Sequence, residues 1–146
     1  MTAAAQHAES LKADDLSAGT TLSGGQFSIT GSLGAGGFGI TYNADDNVLG
    51  RPVVIKECFP EDFCMRNPDG KTVVPRSNVQ GTHVRSIVRM FMSEARSLAR
   101  LRHPSIVGVH SAFEENQTAY MVLDLLDGPD LLDFIESGRD PLSPER

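Results

Sequence analysis

A cluster of four glycines between two apolar runs most constrains what this chain can fold into. Gly34, Gly36 and Gly39 give the spacing G-x-G-x-x-G, and Gly37 adds a fourth glycine. Glycine lets backbone N–H groups approach a phosphate closely because it has no Cβ, and it accepts positive φ. The same spacing occurs in dinucleotide-binding folds, where the glycines open a helix. The residues that follow the cluster therefore decide between the two kinds of site.

The residues after the glycines favour a β-hairpin over a helix. Residues 40–44 read Ile-Thr-Tyr-Asn-Ala, which is rich in β-branched and aromatic side chains, and Asp45-Asp46-Asn47 then predicts a turn. Phe27–Leu33 is the predicted incoming strand, so the glycines lie at the bend between two strands. Because no helix is predicted after Gly39, a dinucleotide-binding dehydrogenase is disfavoured.

A third predicted strand, Arg51–Glu57, carries Lys56 directly after the apolar triplet Val53-Val54-Ile55. The chain has only three lysines, at positions 12, 56 and 71, against ten arginines. A lysine at a strand end is ordinarily a solvated surface residue. This one lies one strand away from a glycine loop of the phosphate-binding type, and a compact ammonium is suited to bridging phosphate oxygens. We therefore favour a functional role for Lys56.

Residues 84–102 form the one long helix that the sequence predicts, ended by His103-Pro104. Glu94 is its only acidic residue, and no arginine stands three or four positions away to pair with it. A partner elsewhere in the fold is therefore expected, and Lys56 is the obvious one. Apolar residues recur along the helix at spacings of three and four and form one stripe: Val84, Ile87, Val88, Phe91, Ala95, Leu98 and Leu101.

Together these motifs resemble those of protein kinases, in the eukaryotic-like serine/threonine group found in bacteria. The glycines of 34–39 resemble the glycine-rich loop, and Lys56 resembles the third-strand lysine. Residues 91–104, Phe-Met-Ser-Glu-Ala-Arg-Ser-Leu-Ala-Arg-Leu-Arg-His-Pro, resemble the first helix of the family with its glutamate. The resemblance covers about residues 26–146 and implies that Lys56 and Glu94 are catalytic residues, with Glu94 orienting Lys56 by ion pairing.

The fold class that follows is α+β, a five-stranded antiparallel sheet with one long helix, as in a protein kinase small lobe. The last two strands are predicted over Ile106–Phe113 and Ala119–Leu126, with a turn at Glu115-Asn116-Gln117. Residues 58–82 are longer than an ordinary connection and are predicted to be an insertion between the third strand and the helix, in which residues 72–74 could pair as a short strand.

Three regions are predicted along the chain. Residues 1–25, rich in small and polar side chains, are expected to be mobile. Residues 26–127 form the small lobe, and residues 128–146 form the hinge exit and the start of a large lobe that is expected to continue beyond Arg146.

The resemblance also implies an ATP site. Phe38 at the loop tip would cap the phosphates, and Leu123 would lie at the back of the pocket. The backbone of Asp124 and Leu126 would contact the adenine edge, and Asp130 would contact the ribose, although a helix N-cap is a good alternative for that residue. The implied nucleotide-binding residues are Leu33, Gly34, Ala35, Gly36, Gly37, Phe38, Gly39, Thr41, Val54, Lys56, Leu123, Asp124, Leu126 and Asp130.

Two positions depart from the usual family pattern. Thr41 stands where the family usually has Val, and Val54 stands where it usually has Ala. Both would pack on the adenine, and Val54 adds volume there, so the resemblance implies the identity of the nucleotide site more firmly than its affinity.

The chain lacks the acidic motifs that phosphoryl transfer needs in this family, namely a catalytic-loop Asp with its Asn and the Asp of an Asp-Phe-Gly motif. Gly138-Arg139-Asp140 has neither the leading His nor the following Asn. No metal ligand is therefore assigned in this chain. The Mg²⁺ that accompanies ATP and the protein substrate are both expected to bind the large lobe.

Two functional hypotheses follow. In the first, the chain is the ATP-binding lobe of a serine/threonine kinase that transfers the γ-phosphoryl group to protein hydroxyls. In the second, it is a stand-alone nucleotide-sensing or docking module without catalysis. We favour the first because every small-lobe residue that the chemistry needs is retained. Without a large lobe, Leu98, Val109 and Leu123 are expected to have a partly exposed edge, and ATP binding is expected to be weak.

Composition excludes several other classes of function. The net charge of −6 and the pI near 5.1 argue against a nucleic-acid-binding surface. No run approaches the roughly 20 apolar residues of a membrane span, and residues 1–22 lack the apolar region of a signal peptide. Cys58 and Cys64 fit no metal or disulfide pattern, so a cytoplasmic location is expected.

Overall fold

One antiparallel sheet with one long helix makes up most of the computed structural model, which describes residues 14–36, 39–100 and 108–124. The predicted fold class is confirmed. The sheet has the strand order β1-β2-β3-β4-β8-β7, and β5 and β6 form a separate hairpin. The elements are β1 (Thr21–Leu22), β2 (Phe27–Ala35), β3 (Gly39–Asp46), β4 (Arg51–Cys58), β5 (Cys64–Arg66), β6 (Val73–Pro75), α1 (Asn78–Ala99), β7 (Val109–Glu115) and β8 (Thr118–Asp124).

The sheet has six strands where five were predicted, because β1 adds a two-residue strand at the edge of β2. It is followed at once by a turn in which Ser23, Gly24 and Gly25 have positive φ. Two residues are too few to show an alternating pattern, so the sequence did not reveal this strand. Residues 14–25 belong to the segment expected to be mobile, yet they pack against the sheet, with Leu16 and Leu22 buried. Residues 1–13 lie outside the described part of the chain.

Strand alternation gives the sheet two chemically different faces. Lys56 on β4 lies opposite Thr41 on β3 and Met121 on β8, whereas its neighbour Glu57 lies opposite Tyr120 on β8. Successive strand residues point to opposite faces, and directly opposed residues share a face. Lys56 and Glu57 therefore serve two separate environments.

The face that carries Glu57 forms the inside of a curl. Phe27 on β2 stacks on Phe113 on β7, with ring centroids 6.0 Å apart and planes within 2° of parallel, although three strands lie between β2 and β7. The N–H of Ser23 donates a 2.8 Å hydrogen bond to the carboxylate of Glu115. The two edges of the sheet are thus brought together, and the aromatic core lies between them.

Helix α1 begins six residues earlier than predicted, because Ser77 is extended and Asn78 starts the helix. Gly81 falls within residues 58–82, the predicted insertion, but it is buried inside the helix against Pro75. The helix ends at Ala99, three residues short of the prediction, and His103-Pro104 lies outside the described residues. Of the predicted apolar stripe, Val84, Val88, Phe91, Ala95 and Leu98 are buried and Ile87 is half-buried, whereas Leu101 lies outside the described residues.

Strands β7 and β8 form the predicted hairpin, and Asn116 and Gln117 at its turn both have positive φ. The expectation of an exposed edge is wrong for Leu98 and Leu123, whose exposed fractions are 7% and 4%, because α1 packs across β7 and β8. Val109 is half-buried. None of the helices in the described residues is long and apolar enough to span a membrane.

Candidate functional site

The glycine loop is the tip of the β2–β3 hairpin, as predicted. Gly34 pairs with Thr41, Ala35 pairs with Ile40, and the N–H of Gly36 donates a 2.8 Å hydrogen bond to the carbonyl of Gly39. Gly34, Ala35 and Gly36 are exposed. Gly37 and Phe38, at the very tip, lie outside the described residues. The loop is therefore held by the ladder on both sides and presents Gly34 and Gly36 to solvent.

Gly39 is the glycine that the surrounding structure requires. A Cβ at this position would lie 3.0 Å from the carbonyl oxygen of Glu57 and 3.1 Å from Cε of Lys56. The side chain of Lys56 thus runs directly across the last glycine of the loop. By contrast, a Cβ at Gly34 or Gly36 would meet no heavy atom within 4 Å. No packing in the described structure demands glycine at those two positions, which leaves the loop surface open to a ligand.

Replacing Gly39 by alanine is expected to reduce the free energy of unfolding by about 1–3 kcal/mol, because the new methyl group overlaps backbone on β4. Gly31→Ala is the matched control, since it lies on the same β2–β3 ladder with no atom within 4 Å of its Cβ, and it should change stability by less than about 0.5 kcal/mol. Urea unfolding of both variants measures the difference. Equal stability of the two would contradict the close approach at Gly39.

Four of the predicted site residues share one face of the sheet. Thr41 is opposite Lys56, Leu123 is opposite Val54, and Val54 lies two residues before Lys56 on the same strand. Val54 and Leu123 are buried, and Thr41 and Lys56 are half-buried. The structure therefore brings together an apolar floor and an ammonium beside the glycine loop. Leu33, at the entrance to the loop, packs against the core.

Glu94 lies on the exposed side of α1, and among the described residues it does not form an ion pair with Lys56. Glu94 is thus turned away from the sheet in this position of the helix.

Of the residues predicted to contact the adenine edge and the ribose, the structure describes only Asp124. Asp124 ends β8, and its N–H donates a 2.9 Å hydrogen bond to the carbonyl of Gly108. Its carboxylate pairs with Arg51 at 3.5 Å, and because both side chains are nearly half exposed this pair contributes little to stability. Leu126, Asp130 and the triplet 138–140 lie outside the described residues.

Glu57 is a functional-site neighbour that the sequence interpretation missed. It is fully buried on the face opposite Lys56. Its carboxylate accepts hydrogen bonds from the hydroxyls of Tyr42 and Tyr120, both at 2.8 Å, and from both terminal nitrogens of Arg66 at 2.7 and 2.8 Å. The sequence contained one indication, because Glu57 continues the alternation of Val53 and Ile55 and so places a charge on a core-facing position.

Arg66 comes from β5, inside the segment predicted to be an insertion. Besides Glu57, its guanidinium donates to the carbonyl of Asp14 at 2.6 and 2.9 Å and to that of Lys71 at 2.9 Å, and it lies 4.8 Å above the ring of Phe59. Burial lowers the pKa of Arg66, but the hydrogen bonds and charge of Glu57 outweigh this and hold that pKa above its usual value. The guanidinium is therefore a permanent cation with its donors satisfied.

Both tyrosines remain neutral donors. Burial and then the charge of Glu57 raise the pKa of Tyr42 and of Tyr120 far above the ordinary value. The hydroxyl of Tyr42 accepts from the N–H of Leu16, and that of Tyr120 accepts from the side-chain amide of Asn116. We call Glu57, Arg66, Tyr42 and Tyr120 the buried clamp. It joins the N-terminal segment, three strands of the sheet and the insertion.

The two cysteines, Cys58 and Cys64, are free and buried, and burial raises the pKa of each thiol to about 12. At pH 8 each is expected to react with iodoacetamide roughly a thousandfold more slowly in the folded chain than after unfolding, since the thiolate is the nucleophile. The unfolded chain loses these protons from about pH 9, so the free energy of unfolding should fall as the pH rises from 9 to 12. Rapid alkylation under native conditions would contradict this burial.

Two other features bear on possible ligands. Among the described residues, no group of three His, Cys, Asp or Glu side chains is arranged to hold a metal ion. A groove of about 390 Å³ lies between α1, β6 and the β7–β8 turn, with Val84 and Val88 on its wall. None of the predicted nucleotide-binding residues lines this groove.

The family model described as protein tyrosine and serine/threonine kinase matches residues 27–146. The probable serine/threonine-protein kinase SCO3848 of Streptomyces coelicolor is 32% identical over 127 residues, and PrkC of Bacillus subtilis is 29% identical over 121 residues. These matches cover 84% and 83% of this chain but 16% of each relative. A solved structure of PpkA-294 in its apo form superposes with a TM-score of 0.73 at 36% identity, over 79% of this chain and 40% of that one.

Proposed function

Because the chain belongs to the protein tyrosine and serine/threonine kinase family, as the N-terminal lobe of a bacterial eukaryotic-like kinase, we propose that it binds ATP for transfer of the γ-phosphoryl group to protein hydroxyls. The observation that carries this proposal is the position of Lys56. Its side chain crosses Gly39, the last glycine of a hairpin loop in which Gly34 and Gly36 have open space around them. Backbone N–H groups and one ammonium are thereby available to the same phosphate chain.

Each residue of the site has a proposed task in binding and orientation. The exposed Gly34 and Gly36 let the loop amides approach the phosphates, and Lys56 supplies a point charge to phosphate oxygens. Thr41, Val54 and Leu123 form the surface against the adenine. Leu33 and Ala35 flank the loop, and we propose that Phe38 covers the phosphates. The backbone of Asp124 and Leu126 would hold the adenine edge, and Asp130 the ribose.

Glu94 has a conditional role in this proposal. Its exposed position keeps it away from Lys56. In kinases the lysine–glutamate ion pair forms only when the helix is correctly placed, and the position of that helix controls activity. We propose that a movement of α1 toward the sheet brings Glu94 to Lys56, and that this pair then fixes the ammonium on the phosphates.

We propose that Mg²⁺ and the protein substrate bind the large lobe; among the described residues of this chain no three-ligand cluster is present. The chain spans about a sixth of the length of SCO3848 and PrkC, and it contains no His-Arg-Asp or Asp-Phe-Gly sequence. We therefore propose that residues 1–146 alone bind ATP without transferring its phosphoryl group. Two free, buried thiols are compatible with a reducing compartment, so we assign the protein to the cytoplasm.

Alanine substitutions in the glycine loop test the proposal. In a titration of the chain with Mg–ATP, followed by calorimetry, Gly36→Ala and Gly34→Ala are expected to raise the Kd at least fivefold, because a methyl group obstructs the approach of phosphate. Gly31→Ala should leave the Kd unchanged. All three positions have open surroundings, so none of the variants should be markedly destabilised. Equal affinity in all four proteins would contradict phosphate binding at this loop.

A further inference from the structure

The buried clamp lies directly behind the lysine of the proposed nucleotide site. Lys56 and Glu57 are consecutive on β4, so their side chains leave the strand on opposite faces. Lys56 is half-buried beside the glycine loop, whereas Glu57 is completely buried. Whatever fixes Glu57 therefore also fixes the backbone from which the ammonium of Lys56 extends.

Two strands, β3 and β8, are tied to Glu57 by side chains as well as by the ladder. Tyr42 on β3 and Tyr120 on β8 each donate to one oxygen of the carboxylate. Glu57 also pairs through the backbone register with β3 and β8. A slip of one residue would move the carboxylate to the face of Lys56 and separate it from both hydroxyls. The register that places Lys56 beside Gly39 is thus specified by the clamp.

Arg66 completes the clamp from outside the sheet. Its two terminal nitrogens each donate to a different oxygen of Glu57, at 2.7 and 2.8 Å, which makes the pair bidentate. The side chain of Arg66 is 5% exposed and that of Glu57 is 0% exposed. The same guanidinium also donates to the carbonyls of Asp14 and Lys71. The insertion and the N-terminal segment are consequently fastened to the end of β4 by one side chain.

We propose that Arg66 is a positioning residue for nucleotide binding, which acts through Glu57 to hold Lys56 at the glycine loop. The segment between β4 and α1 would then help to hold the nucleotide site in its geometry. This inference rests on the proposed ATP site, and it assigns that segment a task. A purely structural clamp would stabilise the fold without any special effect on Lys56, and the two possibilities predict different results.

The first test measures hydrogen exchange at individual backbone amides by NMR, in the absence of nucleotide. Arg66→Lys keeps a positive charge but cannot form the bidentate fork, and Arg66→Met removes both. Ile29→Ala is the control, because it opens a cavity in the buried core beside Ala44 on β3, four positions from Ile40, the register partner of Glu57. Arg66→Lys is expected to raise the exchange rates of the amides of residues 55–58 at least tenfold more than those of residues 43–46. Ile29→Ala should not show this bias.

The second test measures the Kd for Mg–ATP at a temperature where each variant is folded. Arg66→Lys is expected to weaken binding at least fivefold, while Ile29→Ala, with an equal or larger loss in Tm, should bind like the native chain. Native affinity in Arg66→Lys, or exchange that rises evenly along the sheet, would overturn the positioning role. If the native chain does not bind Mg–ATP, the proposed function fails, and the exchange pattern alone still decides whether Arg66 positions β4. If Arg66→Met does not fold, Arg66→Lys supplies both measurements.

Discussion

Replacing Arg66 by methionine is expected to destabilise the fold by about 3–5 kcal/mol, the cost of leaving one partner of a buried ion pair without the other. The carboxylate of Glu57 would remain fully buried with only the two tyrosine hydroxyls as donors. The carbonyls of Asp14 and Lys71 would lose their contacts with the guanidinium as well. Urea unfolding followed by circular dichroism measures the change.

The matched control for this prediction is Arg51→Met. Arg51 also pairs with a carboxylate, that of Asp124, but at 3.5 Å and with both side chains nearly half exposed. Its loss should cost less than about 1 kcal/mol. If Arg66→Met and Arg51→Met lowered the free energy of unfolding by the same amount, Arg66 would not be buried as described. Both variants remove one positive charge, so the difference in destabilisation comes from burial. Salt screens exposed pairs more than buried ones, so high salt should reduce the effect of Arg51→Met by a larger fraction than that of Arg66→Met.

Lys56→Met is expected to weaken Mg–ATP binding by about 10- to 100-fold, since hydrogen bonds to charged groups contribute about 1.5–3 kcal/mol. Methionine keeps an unbranched side chain that can still cross Gly39, so the fold should persist. Calorimetry measures the affinity, and thermal unfolding checks that the variant is folded.

The control here is Lys71→Met, which removes an exposed lysine whose carbonyl, not its ammonium, contacts Arg66. It should bind Mg–ATP like the native chain. A loss of affinity that is equal in the two variants would indicate a general effect of charge and no site at Lys56. Glu94→Ala should likewise leave the affinity within about twofold, because Glu94 is exposed and does not pair with Lys56 in this position of α1.

The parts of the fold that depend on short stretches of sequence were predictable. The hairpin at the glycines follows from the β-branched residues after Gly39, and the helix stripe follows from the 3.6-residue period. The shared face of Val54 and Lys56 follows from their separation by two residues on one strand. Each of these features depends on residues close together in the chain, so the sequence alone predicts it.

The features that the sequence did not predict depend on contacts between different elements of the fold. Arg66 and Glu57 belong to different elements, and no periodic pattern relates an arginine in a loop-like segment to a buried carboxylate. The early start of α1 was hidden because Gly81 has low helix propensity, which packing against Pro75 overrides. Whether Glu94 faces Lys56 depends on the position of the whole helix, and the composition of the helix does not determine that position.

The central claim is that Lys56 lies at an ATP site, and labelling with an acyl-phosphate derivative of ATP tests it most directly. This reagent transfers its acyl group to a lysine that lies beside the bound phosphates, and the chain offers only Lys12, Lys56 and Lys71 as candidates. Peptide mapping should find the label on Lys56, and excess ATP should abolish it. Equal labelling of the three lysines, or labelling of Lys56 that ATP does not prevent, would contradict the assignment.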